Sequence, residues 1–346
     1  MILTYKIKHG GDYTDELRKA KKVAKYAIAN RNQLSTKHVS HIGLKSIISN
    51  QILRKYGRNK KAKAVKRVNL IIPNQGIREE GNNIMIPSLK LGLDNTIPVN
   101  YEKINQIEIN DTYAFVSVTA TEKPPIDSDN YIGVDLNATG HVAVVADPQS
   151  GKTAKLGKKA GHTHAKYKSI RKTLQKKGKT KRLRKVKRRE SNIVCDLNHK
   201  ISRKIVDMAV NSNSHIKLEQ LKGIRKTAKT VKNFRYSLNS WSFYQLGEFI
   251  KYKAKLQGIE VVYIDPRNTS KSCSRCGLIG NRDGKTFKCP GCGHVDHADT
   301  NAAFNIGKRS HGIDQSIADR DVIEGSTDAP KGAMPRKPAT PEPHVL

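Results

Sequence analysis

The chain has 346 residues, enough for two or more compact units, and carries 65 Lys and Arg against 30 Asp and Glu, a net charge of +35. That field exceeds what solubility requires and points to a polyanionic partner. No apolar run reaches the length of a membrane span, the start MILTYKIKHG has no signal-peptide core, and paired cysteines in such a chain favour metal over disulfides, as in a soluble protein of a reducing compartment.

In chain order, MILTYKIK reads as a strand and is followed by helical patterns over residues 13–31 and 40–56. The segments VKRVNLIIP, NNIMIPSLKL, INQIEIN and TYAFVSVTA are β-branched or alternating and bounded by Gly, Asn and Pro. Five or more short strands around a small helical insertion predict a small β-barrel, and the proline-bearing TEKPPIDSDN (121–130) reads as a domain linker. YIGVDLNATGHVAVVAD then predicts a β-hairpin with Asp135 near the end of its first strand. Residues 151–190 hold 18 Lys and Arg against one acid, a density suited to tracking a phosphate backbone. Apolar residues at Val186, Val194, Leu197, Ile201, Ile205 and Met208 give this basic run a buried stripe, which favours a long helix over a basic tail. Gly178 separates it from a shorter helix beginning near His164, so a basic helical hairpin is expected. Its exposed candidates for nucleic-acid contact are Lys181, Arg182, Arg184, Lys185, Lys187, Arg188 and Arg189.

Downstream, IKLEQLKGI is a short strand ending at Glu219, and WSFYQLGEFIKYKAK reads as an amphipathic core helix, with Phe234 and Tyr236 before it able to stack on bases. A third acid, Asp299, opens the apolar helix TNAAFNI. Singly, Asp135 is also a reasonable turn former, Glu219 a surface acid and Asp299 an N-cap. Jointly, three acids at strand ends and a helix start can converge at one sheet edge. Two magnesium ions about 4 Å apart need such a cluster to hydrolyse a phosphodiester.

Cys273, Cys276, Cys289 and Cys292 form C-x2-C-x12-C-x2-C, with Gly277 and Gly293 after the two pairs. Four thiolates suit a closed structural Zn2+ site better than redox chemistry. His294 and His297 are then expected to face solvent or nucleic acid. Cys195 stands alone, and the proline-rich end of the chain reads as a tail.

The ordered motifs GVDLNATG, IKLEQLKGI, WSFYQLGEFIKYKAK, NTSKSCSRCG and CPGCGHVDHADTNAAFNI resemble the TnpB family, insertion-sequence proteins related to type V CRISPR effector nucleases. The resemblance spans Tyr131 to Ile306, and ISNQILRKYG (48–57) adds a weaker match. It implies an α+β multidomain protein with an RNase H-like (RuvC) α/β nuclease domain whose acids are Asp135, Glu219 and Asp299. Asp296 is then read as a turn residue or as a group that supports the metal ligands from behind. The implied layout is a wedge-like β-barrel over 1–125 with a helical recognition insert at about 10–60, and the nuclease domain over 126–268 and 293–309. The basic hairpin occupies about 160–211, the zinc ribbon 269–292, and a mostly disordered tail 310–346. The family's activity implies a Mg2+-dependent DNA endonuclease, guided by an RNA from the end of its own element to targets beside a short motif, in a prokaryotic cytoplasm. The alternatives are a non-catalytic structural RNA-binding zinc-ribbon protein, a guide-dependent DNA binder, and a transposase joining DNA ends.

Overall fold

The computed structural model describes residues 1–221 and 242–310, so Phe234, Tyr236, Trp241 and the tail beyond 310 lie outside the described residues. The chain divides into two compact units, Met1–Lys123 and Pro124–Leu346.

In the first unit, β1 (Ile2–Lys8) is followed by α1 (Thr14–Ala29) and α2 (Ser46–Arg58), then by β2 (Leu70–Pro73), β3 (Arg78–Glu80), β4 (Asn83–Ile86), β5 (Leu91–Asp94), β6 (Tyr101–Ile109) and β7 (Tyr113–Ala120). The strands form two antiparallel sheets, ordered β1-β7-β6-β2 and β3-β4-β5. Alternating residues such as Ala114, Val116 and Val118 of β7 turn inward, as period-two patterning requires. They share one core with Val23, Ala24 and Ala27 of α1, Ile48 and Ile52 of α2, and Ile84 and Ile86 of β4. Both helices therefore lie between β1 and β2, where the sequence predicted an insertion.

The second unit is built on β8 (Tyr131–Leu136), β9 (Ala143–Ala146), β10 (Thr153–Leu156), β11 (His215–Glu219) and β12 (Val261–Ile264). Their order is β10-β9-β8-β11-β12: β8 pairs antiparallel with β9, and β11 lies parallel between β8 and β12. Between β10 and β11 run α3 (Lys158–Lys176) and α4 (Thr180–Asn211), and α5 (Phe243–Leu256) precedes β12. Helix α3 starts before the expected His164, with Gly157 at φ 82° turning the chain into it.

Side chains on the two sheet faces have different partners. Ile132, Val134 and Leu136 of β8, with Ile216 and Leu218 of β11, pack against Ile201 and Ile205 of α4 and Leu246 and Ile250 of α5. The opposite face receives α6 (Ala298–Lys308), with Ala303 packed on Val144 and Ala146 of β9. At Gly133 of β8 the helix lies directly on the strand, since a Cβ there would come 2.0 Å from the Ala303 carbonyl oxygen. Only glycine permits that approach. A small antiparallel sheet, β13 (Asn281–Asp283), β14 (Thr286–Lys288) and β15 (Val295–His297), precedes α6 directly. This ribbon reaches His297, five residues past its expected end at 292, because Thr286 pairs with His297 across β14 and β15. No helix among the described residues is long and apolar enough to cross a membrane.

Candidate active site and cysteine cluster

Asp135 and Glu219 reach one place because β8 and β11 are parallel and in register. Leu218 pairs with Val134, so the next residues, Glu219 and Asp135, fall side by side on the face that α6 covers. Asp299, in the first turn of α6, completes the group from above. Asp135 is 8% exposed and Asp299 1%.

Burial pushes the Asp135 carboxyl up to about 7, and the charges of Glu219 and then Asp299 push the same way against a hydrogen bond from Asn137. That bond runs from Asn137 Nδ2 to Asp135 Oδ2 at 2.9 Å. Burial also raises Glu219, opposed by the Thr269 hydroxyl and by the charge of Arg309. Thr269 Oγ1 donates to Glu219 Oε1 at 2.5 Å. A buried carboxyl raised by acidic neighbours, as Asp135 is, sits in an unfavourable negative field that a cation relieves.

Part of that relief comes from the ribbon. Arg282 Nη2 lies 3.2 Å from Asp299 Oδ1, and Lys285 Nζ lies 2.6 Å from Asp299 Oδ2. The Lys285 carbonyl also accepts from Ala298 N at 2.8 Å, so the β13–β14 turn is fastened to the start of α6. Among the described residues, the four cysteines are the group of three or more His, Cys, Asp or Glu whose ligand atoms all lie within 4.8 Å of one another. The three carboxylates are less tightly gathered, with both Asp299 oxygens turned to Arg282 and Lys285. Sequence reading missed Thr269, Arg282 and Lys285. The Asp-Gly pair at 283–284 marks the turn that delivers Lys285, but no local signal ties that turn to Asp299.

The cysteines meet as their spacing predicts. Cys273 Sγ lies 3.7 Å from Cys292 Sγ, and Cys276 Sγ lies 3.5 Å from Cys289 Sγ. Sulfurs around a tetrahedral zinc at 2.3 Å stand about 3.8 Å apart, so the donor set fits that ion. Gly277 and Gly293 follow the pairs at φ 79° and 69°, left-handed positions that fold each pair into a knuckle. The backbone N–H of Cys292, foremost among several influences, lowers the Cys289 thiol to about 7. Beneath the knuckles, Phe287 is fully buried with Cys273, Cys289 and Ala298, so one apolar cluster joins the cysteine site to the start of α6.

Other expected residues sit as follows. His294 does not face solvent: its side chain is 10% exposed and stands 6.5 Å from the Phe287 ring, because the second knuckle folds it inward. Half-buried His297 has an Nδ1 atom with no hydrogen-bond partner. Asp296 Oδ1 accepts from His297 N at 2.6 Å, a turn-like contact. Lys181, Arg182, Arg184, Lys185, Lys187, Arg188 and Arg189 are all exposed on α4. The same helix buries Val194, Ile201 and Ile205, and at Glu190 it is tied to α3 by an ion pair with Arg171 and a hydrogen bond with His164.

Residues 243–306 match the profile of the Cas12f1-like TNB domain family. The TnpB-like protein MJ0751 of Methanocaldococcus jannaschii is 34% identical over 235 residues, 67% of this chain and 76% of that protein. The CRISPR-associated endodeoxyribonuclease Cas12f1 of Sulfoacidibacillus thermotolerans is 40% identical over 149 residues, 41% of this chain but 33% of the relative. The fold resembles that of a Cas12f1–sgRNA–target DNA complex solved by cryo-EM, with a TM-score of 0.57 at 15% identity, covering 86% of this chain and 82% of that one. The molecule is thus an α+β multidomain protein of the type V effector fold, with a TNB domain that carries a cysteine cluster. The chain belongs to the TnpB family.

Proposed function

We propose that this protein is an RNA-guided DNA endonuclease whose RNase H-like (RuvC) centre consists of Asp135, Glu219 and Asp299. The observation that carries the reading is the meeting of three acids on the α6 face of one sheet, with Asp135 pushed up to about 7 by burial and by its acidic neighbours. A surface or capping role for these acids would leave no reason to bury them together. The named activity of Cas12f1 relatives supports DNA as the substrate, and +35 of net charge supports RNA and DNA as partners.

The three carboxylates would hold two magnesium ions, which when bound supply an activated water and stabilise the departing oxygen. The protein's own contribution is placement. Asn137 fixes one oxygen of Asp135, Thr269 fixes one of Glu219, and Arg282 and Lys285 each pair with one oxygen of Asp299. In this reading the cysteines hold a structural Zn2+ that keeps the ribbon folded and takes no part in bond cleavage. The first unit is a wedge-like barrel with its helical insert, and the exposed basic residues of α4 track a nucleic-acid backbone. A prokaryotic cytoplasm suits such an enzyme.

The test is to express the chain with its flanking DNA, sequence the RNA that copurifies, and challenge the complex with a plasmid library carrying the matched target. The expected result is a defined RNA, magnesium-dependent cleavage beside one short motif, and binding without cleavage by Asp135→Ala. A wild-type complex that binds RNA yet cuts no matched DNA would make this a binding protein and overturn the proposal.

A further inference from the structure

Lys217 is a buried lysine to which the cleavage chemistry assigns no task. It lies mid-strand in β11, is 4% exposed, and belongs to a sheet whose neighbouring core positions are Ile and Leu. An ammonium in such a place is unfavourable unless it is satisfied. Here it is: Lys217 Nζ donates to the carbonyl oxygens of Arg309 at 2.6 Å and Gly307 at 3.2 Å, and stands 4.0 Å from the centroid of the Tyr131 ring. Both carbonyls belong to the C-terminal end of α6, where a helix has unpaired acceptors and the negative end of its dipole. Burial lowers the pKa of this lysine, as its surroundings demand.

The register shows what the contact joins. Lys217 pairs with Gly133, and two residues on along each strand stand Glu219 and Asp135. Gly133 is also where α6 touches the sheet, for a Cβ there would meet Ala303 O at 2.0 Å and Gly307 N at 2.3 Å. The three elements that carry the acids therefore meet at one point, one end of α6 being clamped there while Asp299 occupies the other. The same half of α6 also reaches toward Glu219: Asn305 Nδ2 donates to Thr269 O at 2.8 Å, and Thr269 in turn holds Glu219.

We infer that Lys217 is a positioning residue: by clamping the end of α6 onto β11 beside the Gly133–Gly307 contact, it sets where Asp299 stands relative to Asp135 and Glu219. The inference rests on the reading of these acids as magnesium ligands. A metal site tolerates little displacement of its ligands, so loosening the far end of a three-turn helix is felt at its first turn.

The experiment uses the full chain, freed of nucleic acid in high salt, with Mn2+ as the probe and its binding followed by electron paramagnetic resonance well below the unfolding temperature. Zinc content and thermal unfolding are recorded on every sample. Lys217→Met removes the ammonium, and Gly307→Ala adds a Cβ 3.0 Å from Gly133 N and 2.7 Å from Pro148 Cγ, which lifts the helix end more gently. The expected result is Mn2+ binding weakened roughly tenfold in both, with zinc retained. A lysine that merely stabilises the core lowers the unfolding temperature and leaves Mn2+ affinity at the wild-type value, and that result overturns the inference. Should Lys217→Met fail to fold, Gly307→Ala decides: weaker Mn2+ binding supports the clamp and unchanged binding overturns it. Asp135→Ala separates the two claims. If it abolishes Mn2+ binding while the clamp variants bind normally, only the inference about Lys217 fails; if it leaves Mn2+ binding intact, the acids are not the ligands.

Discussion

The cysteine cluster and the carboxylate group each bring like side chains together, yet they are assembled in opposite ways. The four cysteines lie between 273 and 292, and a short hairpin with two knuckles brings them together. The three acids stand at 135, 219 and 299, and only the strand order β8-β11 with α6 laid across it makes them neighbours. A local site is specified by spacing and a few glycines. A distant one is specified by topology, and here burial together with the acidic neighbours raises the Asp135 carboxyl. The ribbon links the two, since Phe287 packs with the cysteines and Ala298 while Lys285 and Arg282 pair with Asp299.

The largest expected effect comes from breaking the local site. Cys289→Ser removes one of the four proposed zinc donors, and structural zinc sites contribute folding free energy on the order of 10 kcal/mol. Zinc measured by atomic emission should be lost, and cleavage with it, because the hairpin no longer holds Asp299. Retained cleavage without zinc would uncouple the two regions. Next in size is the distant site. Glu219→Ala should cut the DNA cleavage rate by roughly 10³-fold, about 4 kcal/mol of transition-state stabilisation, while zinc content and the unfolding temperature stay close to wild type.

A smaller effect follows from the sign of the Asp135 shift. Its carboxyl is raised from 3.8 to about 7, so the folded state favours the protonated form. The stability this group contributes is full below about 4 and is lost as pH rises through about 7. In magnesium-free buffer with zinc retained, Asp135→Asn should unfold at a higher temperature than wild type at pH 8, with the difference vanishing near pH 4. The mildest change is on the nucleic-acid face. Replacing Lys181, Arg182, Arg184, Lys185, Lys187, Arg188 and Arg189 with Gln should reduce the salt dependence of RNA binding by about 0.7 in log–log slope for each phosphate that is no longer neutralised. An unchanged slope would remove α4 from the interface.

What the sequence made legible follows the same division. The knuckles, the helical insertion, the β8–β9 hairpin and the long amphipathic α4 all declare themselves through spacing or periodicity within one segment. The third ribbon strand, Val295–His297, went unread because three residues give no period and their pairing partner lies across the cysteine loop. The inward turn of His294 escaped for the same reason. Lys217 reads in sequence as a polar residue in an alternating strand, and only the position of α6 reveals it as a buried clamp. The division of the first unit's seven strands into two sheets also went unread, since pairing between distant segments leaves no trace in composition.

The most direct test of the central claim is the number of Mn2+ ions bound by the nucleic-acid-free chain, compared among wild type, Asp135→Ala, Glu219→Ala and Asp299→Ala. Two ions are expected for the wild type and loss of tight binding in every one of the three variants, with zinc unchanged. Wild-type stoichiometry in all three would show that these acids do not form one metal centre.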